Sequence, residues 1–545
     1  MTMNAQKQKF ALLGAAAALV LGLPLTLGFS AAGAPTSPAA ADTPTQIVRI
    51  ATPTKAVRNQ VARLGLDIAG TVGVDSIDVI LATKADRSAL ARAGLSGQVV
   101  VKDVAAAERE RVEADKAYAA AKPGGSTLPS GRTTYRTLAD YGTEMAALAA
   151  AHPTQTRLVA LNHTSLEGRT VQAVEISNDV AASDGRPTFL LLGAHHAREW
   201  PSAEVAIEFA YDLLQNSATA RIDNILDNIR VLIVPVVNPD GFQVSRSGAY
   251  ELKRKNCRMT DGQLPAAGAC ALRANRALGV DLNRNYGAKW GGPGASPFLN
   301  DETYRGGGPF SEPETRNIQE LISSRQVLTQ ISNHTYGALV LRPPGYSADG
   351  LAHDEALLKS LGDQMAAQMG YQSIYGWQLY DTTGTTEDWS YSVTGGLGVT
   401  FELGTNGFHP QFASVVPLYT GGTKKVPAGG VREAFLIGAE STLNTARHSV
   451  IEGTAPAGVT LRLTKTFPTS TWEGATFTDT LDSTMVVPAS GTWTWHVNPS
   501  TRPAVAGAGG TEPWTLTCEN PAGTVLEERQ VVVARGAAAT ENLTC

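Results

Sequence analysis

The sequence predicts an α/β protein with a mostly parallel sheet, preceded by a smaller α/β module and followed by an all-β module. Between about residues 135 and 450, continuous apolar runs at 188–192 and 231–234 alternate with helical segments, which is typical of buried parallel strands. From 46 to 101, short strand and helix patterns alternate, and beyond residue 458 apolar residues recur with a period of two. The chain is therefore predicted to have a central domain and two small modules.

Composition agrees with this organisation. A chain of 545 residues is longer than one hydrophobic core supports, so several domains are expected. Its content of 43% hydrophobic and 17% charged residues is typical of a globular protein. The formal net charge of −5 gives no basis for a nucleic-acid partner or an anionic membrane partner.

The N-terminal segment has the three parts of a secretory signal peptide. Lys7 and Lys9 precede an apolar run over 10–27, and a tail of small residues ends at Ala41. A retained membrane anchor is the alternative, but Pro24 and the small-residue tail favour cleavage. We expect residues 1–41 to be removed and the protein to be secreted, with no membrane span in the remaining chain.

Residues 42–121 form the predicted N-terminal α/β module, which is of split βαβ type. Predicted strands and helices follow one another, with strands at 47–50, 77–81 and 99–101 and helices at 54–64, 84–93 and 104–121. Residues 122–132 are rich in Gly, Pro and Ser, which predicts a flexible linker that is open to proteases.

The central domain is predicted to cover residues 133–452. Ser311 is the expected N-cap of one helix, with Pro313 in its first turn and Glu314 at the capping-box position. Another helix is expected from Asp354 to about residue 369.

A linker at 453–458 is predicted to lead into a β-sandwich-like module at 459–545. In this module Trp493 and Trp495 alternate with threonines and so point to one face. Attachment to a surface or a polysaccharide through these rings is one interpretation, but a core position is the commoner one for tryptophans on one strand face.

The four cysteines allow three pairings. We expect Cys257 to pair with Cys270 and Cys518 with Cys545, because each pair then stays inside one predicted domain, and because disulfides persist outside the cytosol. A cysteine-ligated zinc site is the alternative, but the chain has no Cys-x-x-Cys spacing.

Candidate catalytic residues begin directly after the buried strand at 188–192. His196 and Glu199 are three residues apart, so an imidazole and a carboxylate can bind one metal ion. They follow the carboxyl end of a strand, where ligands collect in open α/β sheets. The adjacent His195 is expected to point elsewhere. This motif alone is weak evidence, since most such pairs are surface turns.

Other chemically suitable residues follow in order along the chain. Asn283 and Arg284 offer an amide and a guanidinium fork that suits a carboxylate. His334 follows an apolar segment and is a candidate third metal ligand, and Glu402 ends the apolar strand 398–401. Tyr380 precedes a Thr- and Gly-rich loop and is expected to reach a cleft.

Together these stretches resemble the M14 zinc carboxypeptidase family, which includes the pancreatic-type enzymes and secreted bacterial relatives. The resemblance covers nearly all of 135–450, in the family's order. Its motifs are GAHHAREW (193–200), NPDGF (238–242), KRK (253–255), VDLNRNY (280–286), ETY (302–304), SNHTY (332–336), EDWSY (387–391) and TFEL (400–403).

The resemblance implies a mixed, mostly parallel sheet flanked by helices and one Zn²⁺ per chain. It implies three zinc ligands, His196, Glu199 and His334, and makes Glu402 the general base and Arg254 the stabiliser of the oxyanion. The resemblance also implies that Asn283, Arg284 and Tyr380 hold the terminal carboxylate of a peptide or protein substrate, and that Arg198 assists its docking. The N-terminal module resembles the inhibitory propeptide of secreted members, which implies an activating protease.

The resemblance also bears on which C-terminal residue is removed. Glu387 matches the family position at the base of the pocket for the departing side chain, so a basic or dual preference is expected. Gly404 stands where pancreatic members carry Arg, so one wall of the cleft is expected to differ.

Two other functions remain open from the sequence. One is a deacylase or cell-wall peptidase of the same superfamily, although Asn283, Arg284 and Tyr380 favour a substrate with a free α-carboxylate. The other is an inactive zinc-loaded peptide-binding protein, but that would be signalled by loss of Glu402 or Arg254, and both are present.

Overall fold

The computed structural model describes residues 43–405, 407–427, 429–503 and 510–545. The predicted signal peptide at 1–41 lies outside these residues. Within them, no helix combines the length and the apolar character that crossing a membrane requires.

The N-terminal module has a four-stranded antiparallel sheet in the order β2-β3-β1-β4. Its elements are β1 Gln46–Ala51, α1 Lys55–Ala62, β2 Asp67–Thr71, β3 Ser76–Leu81, α2 Lys84–Arg92, β4 Gly97–Val101 and α3 Val104–Ala120. Thr54, Thr83 and Asp103 cap the three helices with side-chain oxygens. Strand β2 is absent from the sequence prediction, because Asp and Gly have low strand propensity.

The predicted linker differs from expectation in its second half. Residues 121–124 are exposed, but Leu128 is buried, and the backbone N–H and the hydroxyl of Ser130 both donate to Glu208. Arg132 forms ion pairs with Asp140 and Glu144. Only the first half therefore has the open character that its composition predicts.

The central sheet is mixed, with the order β11-β10-β12-β9-β7-β8-β6-β5, and its inner strands β12, β9, β7 and β8 are parallel. The predicted fold class is thereby confirmed. The elements of this domain are α4 Leu138–Ala151, β5 Thr156–Thr164, β6 Thr170–Ile176, β7 Thr188–Leu192, α5 Trp200–Gln215, α6 Ala220–Asn228, β8 Arg230–Val234, α7 Pro239–Arg246, α8 Pro313–Ser323, β9 Val327–His334, β10 Leu339–Arg342, α9 Glu355–Met369, β11 Gln372–Tyr375, α10 Gly376–Leu379, α11 Thr386–Thr394, β12 Leu397–Glu402, α12 Val415–Thr420 and α13 Gly430–Leu443.

The N-cap of helix α8 lies one residue after the position predicted from the sequence. Helix α8 begins at Pro313 with Glu312 at the N-cap, and no side chain caps it. Ser311 is not the cap, because its hydroxyl donates to Glu312 and accepts from Asn285. The helix predicted from Asp354 is present as α9, with Asp354 at its N-cap.

The C-terminal module consists of two main sheets, β16-β13-β21 and β15-β14-β19-β20. Its strands are β13 Ser449–Thr454, β14 Thr460–Ser470, β15 Thr476–Val486, β16 Thr492–Val497, β17 Thr501–Arg502, β18 Gly510–Thr511, β19 Trp514–Glu519, β20 Val525–Val531 and β21 Ala538–Thr540. Strand β13 begins before the predicted linker, so the module starts earlier than the sequence indicates. Both tryptophans of β16 are buried, as expected of core residues.

The central domain and the C-terminal module share one apolar core. Leu190 and Leu192 of β7 face this core together with Leu461 and Trp495 of the module. The alternate residues of β7 face a second core formed with the helices on the other side of the sheet. Both expected disulfides, Cys257–Cys270 and Cys518–Cys545, are present, which excludes a cysteine-ligated metal site at these residues.

Candidate active site

Three neighbouring parallel strands carry the candidate site at their carboxyl ends. His196 and Glu199 lie in the loop between β7 and α5, His334 is the last residue of β9, and Glu402 is the last residue of β12. In the register of β9 and β12, Glu402 is paired with His334. The sheet topology thus brings together residues that are far apart in the sequence.

The predicted metal ligands converge. Nδ1 of His196 lies 2.7 Å from Glu199 Oε1, and Nδ1 of His334 lies 3.0 Å from Glu199 Oε2. The two Nδ1 atoms are 3.1 Å apart. All three side chains are buried, and their donor atoms lie within 4.8 Å of one another, close enough to hold one metal ion.

This donor set fits zinc, because two imidazoles and one carboxylate leave an open position, as in catalytic zinc sites. The outer nitrogens of the two rings are also engaged. Nε2 of His196 lies 3.1 Å from Asp281 Oδ1, and Nε2 of His334 lies 3.1 Å from Ser332 Oγ. Such contacts fix the ring tautomer and leave Nδ1 free to bind the metal.

His195 lies outside this group, as expected from the sequence. Its Nε2 lies 2.8 Å from the Tyr286 hydroxyl, and burial lowers the pKa of its imidazole well below its ordinary value. His195 therefore packs beside the donor group, with its ring stacked on that of His334, without joining it.

The carboxylates of the site have shifted pKa values. Desolvation raises the pKa of Glu402 well above its ordinary value, and the charge of Glu199 raises it further, while Arg254 opposes the shift. Burial also acts to raise the pKa of Glu199, but the charges of His196 and His334 outweigh it and lower the pKa. Within one cleft, the pKa of Glu199 is thus lowered and the pKa of Glu402 is raised.

Arg254 lies beside the metal group and is held by Asp281, a residue that the sequence analysis did not single out. Arg254 Nη2 donates to Asp281 Oδ2 at 2.8 Å, while the other oxygen of Asp281 faces His196. Burial acts to raise the pKa of Asp281, but the charge of Arg254 prevails and holds it well below its ordinary value. Asp281 lies two residues before Asn283 in a motif already recognised, which is the signal that identifies it.

The predicted carboxylate-binding residues Asn283, Arg284 and Tyr380 line the same cleft as the metal group. Asn283 Oδ1 accepts hydrogen bonds from the Thr386 backbone N–H and hydroxyl, both at 3.0 Å. Arg284 Nε donates to Gly294 O at 2.9 Å. These contacts fix the orientation of the amide and of the guanidinium.

Glu387 also lines this cleft and is 5% exposed. Its Oε2 atom has no hydrogen-bond partner among the described residues. The next residue, Asp388, accepts from the Gly345 N–H, and burial together with the charge of Glu387 raises the pKa of Asp388 to about 8. Glu387 thus offers an unpaired acceptor atom to a ligand in the cleft.

Arg198, which is predicted to assist substrate docking, is bound to the N-terminal module in this structure. It is fully buried and bonds both oxygens of Asp67 in the N-terminal module, at 2.6 and 2.7 Å. Strand β2 of that module lines the cleft, and Thr71 N donates to Tyr336 O at 3.1 Å. In this chain the N-terminal module therefore covers one side of the cleft.

Helix α3 makes a second attachment to the central domain. The Arg111 guanidinium lies over the Trp200 ring, Asp115 accepts from the Phe412 N–H, and Glu108 lies 3.3 Å from His409. Burial acts to raise the pKa of Glu108, but its contacts with His409 and Arg111 prevail and lower the pKa to about 2.

A buried His–Glu–His group with a carboxylate and an arginine beside it, at the ends of parallel strands, defines a metal-dependent hydrolase. Comparisons with known proteins agree. A family model described as zinc carboxypeptidase matches residues 141–421. The chain belongs to the zinc carboxypeptidase (M14) family, and it is thus a metallocarboxypeptidase, a peptidase that acts on peptide C-termini.

Individual relatives span most of their own length in these alignments. Carboxypeptidase A1 of Rattus norvegicus is 29% identical over 371 residues, which cover 65% of this chain and 82% of that protein. A zinc carboxypeptidase of Saccharothrix mutabilis subsp. capreolus is 29% identical over 420 residues, covering 74% and 90%. The crystal structure of carboxypeptidase A from Helicoverpa armigera aligns with a TM-score of 0.60 at 22% identity, covering 74% of this chain and 98% of that one, which confirms the fold.

Proposed function

We propose that this protein is a secreted zinc-dependent exopeptidase that removes single residues from the C-termini of peptides and proteins. The observation that carries the proposal is the presence of three elements in one cleft. They are the His196–Glu199–His334 donor set, the carboxylate of Glu402 beside it, and the guanidinium of Arg284. The first two suit hydrolysis, and the third suits a substrate that ends in a carboxylate.

The proposed zinc ligands are His196, Glu199 and His334, one ion per chain. When bound, zinc supplies Lewis-acid activation of a water molecule and of the scissile carbonyl. Glu402 takes a proton from the attacking water and later passes it to the leaving amine. The position of Glu402 supports this role, because it lines the cleft and is paired in register with His334 of the donor set.

Arg254 is the proposed donor to the oxygen on which negative charge develops, and its ion pair with Asp281 fixes its direction beforehand. Asn283, Arg284 and Tyr380 bind the terminal carboxylate of the substrate. A guanidinium can make two parallel hydrogen bonds to a carboxylate, which fixes the orientation of the last residue. Arg198 assists docking once Asp67 leaves it.

The carboxylate requirement is tested with two peptides that differ only in a C-terminal carboxylate or carboxamide. We expect kcat/KM to be lower for the amide by roughly 10²–10⁴-fold, because buried polar groups of the site are left unpaired. Arg284→Gln should make the two values of kcat/KM more similar, because it should slow hydrolysis of the peptide with the free carboxylate and leave that of the carboxamide unchanged. Equal rates on both peptides, or release of an acyl group, would favour the deacylase alternative.

Secretion is supported by the predicted signal peptide and by the two disulfides, which persist outside the cytosol. We propose further that the N-terminal module is an inhibitory prosegment that an activating protease removes. Strand β2 of the module lines the cleft, and Asp67 of that strand forms an ion pair with Arg198, a proposed substrate-docking residue. The exposed residues 121–124 are accessible to such a protease, whereas Arg132 is held by two acids.

The prosegment role predicts that cleavage before the central domain raises activity. We expect the cut chain, freed of the module, to be at least about tenfold more active than the uncut chain, since a covered site must open before substrate binds. Cleavage is followed by mass, and Asp67→Ala should raise the basal activity of the uncut chain. An uncut chain as active as the cut one would show that the module is not inhibitory.

Glu387 is the proposed selector of the departing side chain. A buried carboxylate with an unpaired oxygen favours Lys or Arg, since a charge-assisted hydrogen bond is stronger than a neutral one. For Glu387→Gln, which keeps the shape, and Glu387→Ala, we expect the ratio of kcat/KM for Arg- over Phe-ending substrates to fall by about 10–100-fold. An unchanged ratio would mean that Glu387 does not select the substrate.

A further inference from the structure

One hairpin of the C-terminal module contacts a loop of the central domain whose carbonyl accepts from Arg284, a residue that lines the cleft. Strands β14 and β15 pair along their full length, and the turn 471–475 joins them. The hairpin tip, residues 470–472, lies on a segment of the central domain that we term the clamp loop, residues 287–294. Lys289 N donates to Ser470 O at 3.1 Å, and Trp472 N donates to Trp290 O at 3.0 Å.

Aromatic rings of the hairpin pack directly on the clamp loop. Phe477 lies on Gly287, where an added Cβ would come within 2.1 Å of the ring. Trp472 lies on Gly292, where an added Cβ would come within 2.7 Å of the indole, and its ring also meets Tyr346 edge-on at 5.1 Å. The clamp loop thus has glycine at the two positions where rings of the module cover it.

The clamp loop in turn holds the carboxylate-binding arginine. Gly294 O, at the end of the loop, accepts from Arg284 Nε at 2.9 Å. Pro293 O accepts from the Thr383 hydroxyl at 3.1 Å, which ties the loop to the segment that follows Tyr380. Movement of the clamp loop would therefore move the acceptor that orients Arg284.

The same hairpin makes a second contact with the central domain, at helix α11. Asp479 of β15 is buried and accepts from the Trp389 indole N–H at 3.3 Å and from the Thr469 hydroxyl at 2.6 Å. Trp389 is buried in helix α11, two residues after Glu387. The hairpin thus contacts the clamp loop, which holds Arg284, and helix α11, which carries Glu387.

We propose that the β14–β15 hairpin of the C-terminal module positions Arg284 for the substrate carboxylate, acting through the clamp loop. The proposal rests on the proposed role of Arg284. Trp472 is a positioning residue, because it touches neither the metal ligands nor the reacting atoms. The module is then part of the substrate-binding apparatus and more than an appendage for stability.

Point variants of the hairpin tip, made in the full chain and assayed on the cut chain, test this. Trp472→Ala should raise KM for a peptide with a free C-terminus about tenfold, with kcat within about twofold, since misplacement of a binding group weakens substrate binding. Trp472→Phe should restore most of the loss. Thr478→Ala is the matched control, because Thr478 is an exposed residue of β15 in the same hairpin, and the KM of this variant should stay unchanged. Zinc content and Tm are measured for each variant.

A double-mutant cycle with Arg284→Gln distinguishes an effect of Trp472 on the position of Arg284 from a general effect of Trp472 on substrate binding. If the hairpin acts through Arg284, Trp472→Ala should add less than about twofold to KM in the Arg284→Gln background. The same tenfold rise in both backgrounds, or no rise in the wild-type background, would overturn the proposal while leaving the role of Arg284 intact. An unchanged KM in Arg284→Gln itself would overturn the proposed carboxylate-binding group and the inference with it.

Discussion

The Glu402→Gln chain is expected to bind one zinc ion and to lose about three to four orders of magnitude in kcat, because the change removes the base and spares the proposed ligands. Glutamine keeps the size of the side chain, so the packing around position 402 should be preserved. The measurement pairs metal analysis with steady-state kinetics on the cut chain.

Glu314→Gln is the matched control for this variant. Glu314 is also a fully buried acid, and burial raises its pKa to about 8, so the neutral amide is a mild change there. It lies on helix α8 and does not line the cleft. We expect wild-type kcat from it. Near-wild-type turnover of Glu402→Gln with zinc bound would refute the role of Glu402.

The His196→Ala chain is expected to lose its metal and, with it, all measurable hydrolysis. Two remaining ligands hold zinc poorly, and removal of one donor should lower the affinity by at least about 10²–10³-fold, more than loss of an outer-shell partner costs. His334→Ala should behave in the same way. Metal per chain after dialysis is the readout.

His195→Ala is the matched control for the ligand variants. His195 is adjacent to His196 and just as buried, and its ring stacks on that of His334 at 5.6 Å, yet it lies outside the donor group. We expect this variant to keep one zinc per chain. A tightly bound zinc in His196→Ala, or its loss only in His195→Ala, would contradict the proposed ligand set.

Much of the fold was predictable because its signals are local. The continuous apolar runs of β7, β8 and β12 mark buried strands wherever they occur, and the carboxyl ends of parallel strands meet at one edge. That is why His196 and Glu199 could be placed at a site from the pattern alone. The resemblance to the family, in its motif order, then assigned His334, Glu402 and Arg254 to the same site. The chemistry of Asn283 and Arg284 already suited a carboxylate.

The remaining features depend on contacts between distant residues. Strand β2 carries Asp67, which pairs with Arg198 across 131 positions, and no periodicity near either residue encodes that contact. Asp479 and Trp389 are 90 positions apart. In a β-hairpin, the period of two indicates which face is buried but not which loop the turn touches. The N-cap at Glu312 was missed because Ser311 bonds side chains instead of the helix.

The central claim is that one metal ion in this cleft drives removal of C-terminal residues. The most direct test is the mass of the products when the cut chain digests a set of peptides, with chelator, without it, and after zinc is added back. The account predicts successive loss of single residues from the C-terminus, abolished by the chelator and restored by zinc. Internal fragments, trimming from the N-terminus, or release that the chelator leaves unchanged would contradict it.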